Sequence, residues 1–275
     1  MNGPHAVTSI DDPRIDVYRD VRDRDLRGRD GVFMAESELV IRRLLRTPER
    51  LHSLLLSPTR MEALGAALDV LPDTVPVYVA PVDTMTEIAG FHIHRGVLAA
   101  GHRPTPEALA PEPFIEALPE SGPSLVLAAA GITNVDNMGG LFRLAAAFEA
   151  HGVLLDGDCC DPFYRKAIRV SMGHALSVPL AVASNLPAAL GKMQVRGFGV
   201  WAAETPEDAE DLHACPPADR AVILVGNEGH GLDATLLSSA DHVVRIPMAA
   251  GVPSLNVVSA ASVVLWERAR ALAVR

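Results

Sequence analysis

The sequence predicts an α/β protein made of two units, and three observations carry that prediction. Short apolar runs rich in β-branched residues alternate with segments of helical periodicity along most of the chain. A stretch rich in proline and glutamate, residues 102–123, interrupts the alternation and is typical of a semi-stiff linker. A glycine-rich turn, residues 226–231, directly follows the apolar run 221–225. Because ligands of open α/β sheets bind beyond the carboxyl ends of the strands, this turn is a candidate ligand site.

The first unit, residues 1–101, starts with a charged segment. Residues 11–29 predict a helix with Asp11 or Asp12 as its cap and Pro13 near its first turn. Ser37 follows the first strand and is predicted to cap a helix that ends before Pro48. The predicted strands are 31–35, 51–56, 75–79 and 96–100, and two further helices cover 59–68 and 82–89.

The second unit, residues 124–275, repeats the alternation of strands and helices. Strands are predicted at 125–130, 153–155, 178–182, 199–203, 221–225 and 243–246. Helices are predicted through 145–148 up to Gly152, and at 166–172, 185–195 and 254–272. Repeated βα units of this kind predict a mostly parallel sheet with helices on both faces.

The bulk composition is that of a globular protein. The chain has 275 residues, of which 49% are hydrophobic and 21% are charged. No apolar run approaches the ~20 residues of a membrane span. The first residues lack the basic start and apolar stretch of a signal peptide. We therefore expect a cytoplasmic protein that does not associate with a membrane.

Metal-ligating residues are sparse in the sequence. Cys159, Cys160 and Cys215 form no CxxC pair, and we expect reduced thiols. His92 and His94 would share one face of a strand, but no third ligand lies nearby in the sequence. We therefore predict no metal site.

The charge distribution is uneven. A formal net charge of −10 argues against a protein that coats nucleic acid by bulk electrostatics. A local basic patch nevertheless lies near the start of the chain, formed by Arg14, Arg19, Arg22, Arg24, Arg27, Arg29, Arg42, Arg43, Arg46 and Arg50. Aspartates interleave with the arginines up to residue 29, so this part also fits a neutralised, solvated helix. The better candidates for phosphate contact are the four with fewer acidic neighbours, Arg42, Arg43, Arg46 and Arg50.

Three further segments carry polar side chains in positions that suit ligand binding. Asn137 and Arg143 lie six residues apart where a loop enters a helix, and the first turn of a helix attracts anions. The other two segments are the stretch Arg165, Lys166, Arg169, Ser171, Gly173 and His174, and the stretch Ser254, Leu255 and Asn256. Taken singly, each also fits a structural role as a helix cap or a solvated helix face.

The turn at 226–231 reads Gly-Asn-Glu-Gly-His-Gly. It fits neither the GxGxxG fingerprint nor a P-loop, so we expect a ligand other than a dinucleotide or ATP. Taken alone, the segment would also suit an ordinary turn.

Together these segments resemble the SpoU (TrmH-type) family of RNA 2′-O-ribose methyltransferases in the SPOUT class. The resemblance rests on residues 137–143 (Asn-Met-Gly-Gly-Leu-Phe-Arg), 222–231, 246–248 (Ile-Pro-Met) and 254–257 (Ser-Leu-Asn-Val), with an intermediate match at 169–173. It spans about residues 124–272. Residues 8–100 are similar, more loosely, to the ribosomal protein L30e-like substrate-binding domain that often precedes this catalytic domain.

The chain departs from the family pattern at three places. Many relatives read Val-Glu-Gly after the first strand, where this chain has Ala35, Glu36 and Ser37. Val258 replaces the usual serine after Ser-Leu-Asn-Val, and Val135 replaces a usual proline. These departures bear on which RNA is bound, and they leave the predicted fold intact.

The resemblance implies S-adenosylmethionine as methyl donor and a ribose 2′-hydroxyl of ribosomal or transfer RNA as acceptor. It also implies a homodimer with the active site near the subunit interface and a SPOUT-type parallel sheet with a trefoil knot, which general folding rules would not predict. The residues it implies for donor binding are Gly226, Ile246, Leu255, Leu224 and Met248. Those it implies for catalysis are Arg143, Asn137, Glu228, Ser254 and Asn256.

An arginine remains protonated in proteins, which makes a role as general base awkward for Arg143. We interpret Arg143 as a phosphate-binding group that orients or acidifies the hydroxyl, with Glu228 as its positioning partner. Two alternatives stay open: methylation of another RNA position such as a base, and an RNA-binding protein with a catalytically silent SPOUT domain.

Overall fold

The computed structural model describes residues 3–19, 21, 31–216 and 218–273. The chain divides into two compact units, Met1–Thr105 with Phe163–Leu176, and Pro106–Pro162 with Ser177–Arg275. The sequence predicted one uninterrupted second domain, whereas the segment Phe163–Leu176 packs within the first unit. Its contacts there explain the difference, because Phe163 stacks on Phe33 at 6.1 Å between ring centroids and Arg165 pairs with Glu36 at 2.9 Å.

The described strands are β1 (His5–Ala6), β2 (Val32–Glu36), β3 (Leu51–Leu56), β4 (Val77–Val79), β5 (Val97–His102), β6 (Ser124–Ala129), β7 (Gly152–Asp156), β8 (Leu180–Ala183), β9 (Gly199–Ala203), β10 (Glu210–Asp211), β11 (Arg220–Val225) and β12 (His242–Arg245). The described α-helices are α1 (Glu38–Leu44), α2 (Pro58–Leu64), α3 (Val82–Ala89), α4 (Pro111–Ala117), α5 (Val135–Ala147), α6 (Arg165–Val170), α7 (Leu186–Val195), α8 (Ala234–Ser238) and α9 (Val257–Ala273). The α/β class predicted from the sequence is confirmed.

The first unit is built on a mixed sheet with the order β1-β4-β3-β5-β2. Strand β4 pairs parallel with β1 and β3, and β5 pairs antiparallel with β2 and β3. Its core includes the hydroxyl of Tyr18, which lies 2.8 Å from Oγ of Ser53 with both residues buried. This pairing satisfies two buried polar groups that would otherwise be costly.

The predicted helix 11–29 differs from the described structure. Pro13–Tyr18 forms a 3₁₀ helix, and Asp12 is its cap because its side chain accepts a hydrogen bond from the backbone N–H of Arg14. Residues 20 and 22–29 of the prediction lie outside the described residues. Ser37 does precede α1, but it makes no side-chain cap hydrogen bond and has a φ of 83°.

The predicted linker 102–123 contains α4 and is not a plain spacer. Phe114, Ile115 and Leu118 are buried in the core of the second unit. Their spacing places apolar side chains on one face of a short helix, and burying that face outweighs the tendency of the prolines to extend the chain. Pro111 is compatible with α4 because it stands in its first turn.

The second unit is built on a sheet with the order β10-β12-β9-β11-β6-β7-β8, and its recorded strand pairs are all parallel. Strand β11 lies between β6 and β9, which explains why its run Ala221–Val225 is apolar on both faces. This confirms the predicted parallel sheet.

Helices α5 and α9 pack closely in the second unit. A Cβ added at Gly140 would lie 2.7 Å from Cγ2 of Val258, so this glycine permits the approach of the two helices. The contact places the middle of α5 near the start of α9. Within the described residues, no helix has the length and apolarity that a membrane crossing requires.

Candidate active site

The candidate site lies at the carboxyl edge of the second sheet. Val225, the last residue of β11, is in register with Ala129 of β6 and with Ala203 of β9. The segments that follow these three strands therefore start level with one another. They carry the glycine-rich turn, the start of α5 and Glu204.

The glycine-rich turn has a fixed shape. Asn227 and Gly231 form an antiparallel bridge, with backbone N···O distances of 3.2 and 3.0 Å. The side chain of Asn227 accepts a hydrogen bond from the N–H of Gly229 at 2.7 Å and donates one to the carbonyl of Gly131 at 2.6 Å. A Cβ at Gly226 would lie 2.5 Å from the carbonyl carbon of Gly231, so the turn closes only with glycine there.

Glu204, which sequence reasoning missed, holds the same turn from the side of β9. Its Oε2 accepts a hydrogen bond from the N–H of Leu232 at 2.9 Å, and its Oε1 accepts one from the N–H of Thr205 at 3.0 Å. Gly231 has a φ of 67°, and a Cβ there would lie 2.0 Å from Oε2 of Glu204. Glu204 stands just after a predicted strand, which was the available signal for this residue.

Three predicted catalytic residues form one hydrogen-bonded network. Nδ2 of Asn137 donates to Oε1 of Glu228 at 2.8 Å, and Nδ2 of Asn256 donates to Oδ1 of Asn137 at 3.0 Å. Asn137 is 8% exposed, so these bonds satisfy a buried amide. Oδ1 of Asn256 accepts from the N–H of Val258, which anchors the network to the start of α9. The network joins the three motifs at 137–143, 222–231 and 254–257.

A pocket of about 540 Å³ opens beside this network. Seven of the predicted site residues line it: Gly226, Glu228, Ile246, Met248, Ser254, Leu255 and Asn256. Leu224 does not line it, and its side chain is fully buried in the hydrophobic core. The assignment of Leu224 to donor binding, which the family resemblance implies, stays a prediction.

Asn137 and Arg143 do not line the pocket either. Arg143 is exposed on α5, and its side chain makes no hydrogen bond or ion pair with the described part of the chain. The expected pairing of Glu228 with Arg143 is therefore absent among the described residues, since Glu228 pairs with Asn137 instead. An exposed, unpaired guanidinium remains available for an anion.

The electrostatics of the pocket favour a cation. Glu204 and Glu228 both line it, and its described lining includes no lysine or arginine. Apolar walls come from Val225, Ile246 and Leu255. Carboxylates beside an apolar slot suit a ligand that combines a flat apolar group with positive charge.

The predicted phosphate-binding arginines of the first unit mostly have protein partners. Arg42 donates to Glu38 at 2.9 Å, Arg43 pairs with the ring of His174, and Arg50 donates to the carbonyl of Leu176. Of the four, only Arg46 has a side chain with neither a hydrogen bond nor an ion pair within the described residues. Arg43 and Arg50 therefore serve to hold the segment Phe163–Leu176 in the first unit.

The intermediate motif at 169–173 is largely structural. Oγ of Ser171 is buried, donates to the carbonyl of Ile168 at 2.9 Å and accepts from the N–H of Ala175 at 3.2 Å. Nη1 of Arg165 and Nη1 of Arg169 both donate to the carboxylate of Glu36. These contacts give Ser171, Arg165 and Arg169 structural partners, and Arg169 keeps further donors that make no bond to the described residues.

A cluster of possible metal ligands lies outside the pocket. Glu210, Cys215 and His242 each place one ligand atom within 4.8 Å of the others. Glu210 and His242 are hydrogen-bonded to each other at 2.9 Å, and none of the three lines the pocket. The cluster is therefore separate from the candidate site.

Residues 124–266 match the model of the SpoU rRNA Methylase family. An uncharacterised tRNA/rRNA methyltransferase of Mycobacterium bovis is 38% identical over 271 residues, which cover 96% of this chain and 91% of that protein. The AdoMet-bound rRNA methyltransferase of Sinorhizobium meliloti has a TM-score of 0.79 at 25% identity, covering 97% of this chain and 98% of that one. The structure of an RNA 2′-O ribose methyltransferase has a TM-score of 0.74 at 25% identity, and the match covers 98% of this chain and 99% of that one.

Proposed function

Because this chain belongs to the SpoU rRNA Methylase family and is an RNA methyltransferase of that family, we propose that it methylates a ribose 2′-hydroxyl in ribosomal or transfer RNA. Its methyl donor is S-adenosylmethionine. The observation that carries the proposal is the network of Asn137, Glu228 and Asn256 at the edge of the pocket. A structural neighbour named RNA 2′-O ribose methyltransferase supports the choice of the ribose hydroxyl.

The pocket fits the donor in size and chemistry. Its volume of about 540 Å³ lies in the range of small-molecule sites. The residues that would hold the donor are Gly226, Ile246, Met248 and Leu255, which line the apolar part of the pocket. When bound, S-adenosylmethionine supplies a methyl group already activated by a positively charged sulfur. Glu204 and Glu228 give the pocket the complementary negative charge.

The acceptor side of the mechanism rests on positioning. A ribose hydroxyl is a weak nucleophile, so the protein has to orient it for in-line attack. Arg143 is exposed and unpaired among the described residues, and we assign it to the phosphate next to the reacting ribose. A guanidinium beside the ribose hydroxyl favours loss of the hydroxyl proton, because its positive charge stabilises the oxygen anion, and it does not itself act as the base.

Ser254 and Asn256 are assigned to the ribose. Both line the pocket, and the hydroxyl of Ser254 makes no hydrogen bond with the described residues, which leaves it available to the substrate. Glu228 is occupied by Asn137 through Oε1. We therefore assign Glu228 a positioning role and not that of proton acceptor.

Further parts of the proposal concern assembly and location. We propose a homodimer in which α9 takes part, since Val263 and Trp266 on that helix are 38% and 62% exposed. We also propose that the protein acts in the cytoplasm, where its three free thiols would stay reduced. The trefoil knot stays a prediction of the family resemblance.

The test of the proposed function is a map of 2′-O-methyl groups in total RNA from cells with and without this gene. One site lost on deletion and restored by the purified protein with S-adenosylmethionine supports the proposal. If deletion removes a base methylation and every 2′-O-methyl group is retained, the methyl acceptor is a base and not the ribose hydroxyl. Failure of the purified protein to bind the donor in calorimetry would favour the catalytically silent alternative.

RNA affinity is proposed to come from the first unit, as expected from its arginines. Deleting residues 1–101 is not a clean test of this, because Phe163–Leu176 packs within the same unit. Removal would leave Phe163 and Arg165 without Phe33 and Glu36. Single substitutions in the full-length chain test the assignment without this damage.

A further inference from the structure

A second pocket, of about 450 Å³, lies within the first unit where β2 meets α1 and the loop before β5. The residues that matter most in its lining are Ser37, Leu39, His94, Arg95, Arg169 and Met172. The volume falls in the range of ligand pockets. The lining combines cations, one hydroxyl and apolar surface, and this combination is what a nucleotide requires.

Arg95 and Arg169 supply positive charge, and both have guanidinium N–H donors that make no bond to the described residues. Glu36 accepts hydrogen bonds from both Arg165 and Arg169, so the pocket's carboxylate is already neutralised. Apart from that bond, the donors of Arg169 make none to the described residues, and its side chain is 46% exposed. The exposed side chain of Arg95 has no hydrogen bond or ion pair within the described ranges. The remaining charge on this wall is positive.

The backbone that carries Arg95 is held firmly, although its side chain is free. Nε of Arg60 donates to the carbonyl of Arg95 at 2.8 Å, and the N–H of Ile93 donates to Oγ1 of Thr86 at 3.1 Å. Gly96 has a φ of 60°, and a Cβ there would lie 2.6 Å from Oγ of Ser57. A cation on a fixed loop loses little backbone entropy when it binds an anion.

Ser37 gives an independent reason to regard the pocket as functional. Its φ of 83° is uncommon for a residue with a side chain, and glycine would adopt it without strain. The hydroxyl caps no helix and makes no hydrogen bond with the described part of the chain. Strained residues of this kind persist mainly at functional sites. A serine in this position therefore puts a free hydroxyl at the pocket wall at the cost of strain.

We propose that this pocket binds one nucleotide of the RNA substrate. Arg95 and Arg169 would contact its phosphate, and the hydroxyl of Ser37 would add a hydrogen bond. The base would lie on Met172 and on Leu39, which is 45% exposed. A free phosphate would leave that apolar surface uncovered, which favours a nucleotide within an RNA strand. The inference rests on the proposed function, since it identifies where that RNA is held.

The test uses the full-length protein and a fluorescein-labelled single-stranded RNA of mixed sequence, with affinity measured by fluorescence anisotropy at several salt concentrations. Arg95→Ala should weaken binding about tenfold. It should also lower the slope of log affinity against log salt by about 0.7, the share of one phosphate contact. Lys192→Ala is the matched control, because Lys192 is an exposed cation paired with Glu112 in the second unit.

Ser37→Gly separates a ligand-binding role from a structural one. It relieves the strained φ, so the melting temperature should rise, while the lost hydroxyl should weaken RNA binding by about threefold to tenfold. A structural serine would give no loss of affinity. Unchanged RNA affinity in both Ser37→Gly and Arg95→Ala overturns the proposal. The proposal is also overturned if Arg46→Ala weakens RNA binding while Arg95→Ala does not. A third contrary outcome is that AMP or inorganic phosphate binds the pocket and the affinity for RNA stays unchanged in its presence.

Methyl transfer separates this inference from the proposed function. With RNA from cells that lack the gene, Arg95→Ala should raise the KM for RNA about tenfold and leave kcat close to normal. An unchanged KM would remove the pocket from RNA binding and leave the methyl transfer intact. If the unaltered protein transfers no methyl group, the proposed function fails, while the anisotropy measurement still decides the nucleotide site.

Discussion

Nδ2 of Asn137 donates a hydrogen bond to Oε1 of Glu228 at 2.8 Å, across 91 residues of sequence. One partner is buried at the start of α5, and the other is exposed on the glycine-rich turn. The bond therefore fixes the carboxylate of Glu228 at the rim of the pocket. It also makes Asn137, which does not line the pocket, a positioning residue for one that does.

Asn137→Asp should lower methyl transfer about 100-fold, because a carboxylate cannot donate to Glu228 and places a second negative charge beside it. Donor affinity should stay within about threefold, since Asn137 lies outside the pocket lining. Tritium transfer to RNA and calorimetry with S-adenosylmethionine measure the two quantities. Asn134→Ser is the control, because serine preserves the cap of the same helix. Full turnover in Asn137→Asp would show that the network is dispensable.

Arg143→Ala should lose most methyl transfer, by about 10² to 10³, while donor binding stays near normal. The reason is the loss of an exposed guanidinium that has no other partner among the described residues. Arg143→Lys keeps the charge and loses the bidentate geometry, so an intermediate rate is expected. Single-turnover transfer at saturating RNA distinguishes the three proteins. Normal turnover in Arg143→Ala would remove Arg143 from the mechanism.

Glu204→Ala should weaken donor binding about tenfold and leave kcat at saturating donor close to normal. The carboxylate accepts backbone hydrogen bonds from Thr205 and Leu232, so its loss frees the turn that forms one wall of the pocket. Calorimetry and the KM for S-adenosylmethionine provide the measurement. Glu207→Ala, an exposed glutamate three residues on, is the control for lost charge. Equal donor affinity in both variants would contradict the positioning role of Glu204.

Trp266→Glu should convert the proposed homodimer to a monomer, because it puts a charge in the exposed apolar surface that Val263 and Trp266 form on α9. Sedimentation velocity measures the change, and circular dichroism confirms that the variant is folded. Val195→Glu is the matched control, since Val195 is 89% exposed and lies on α7. A dimer that survives Trp266→Glu, or a monomeric unaltered protein, would exclude α9 as the interface.

The family, the class of fold and most of the pocket could be predicted from the sequence. Gly226 and Asn256 were recognisable because a closed turn and a helix start impose requirements on single residues. Asn137 was recognisable as part of a motif, although its partner was not. Glu228 was expected to position Arg143, and it accepts a hydrogen bond from Asn137 instead. Which side chains meet depends on distances between segments in the folded chain, and a sequence motif does not specify those distances.

The sequence by itself determined what depends on neighbours along the chain. The apolar run before the glycine-rich turn specified a buried strand, and the order of the motifs specified the family. The tertiary structure decided what depends on which strands lie side by side. It placed Glu204 against Leu232 and packed Phe163–Leu176 in the first unit. Such contacts join residues far apart in the chain, and burial and pairing select them only once the sheets have formed.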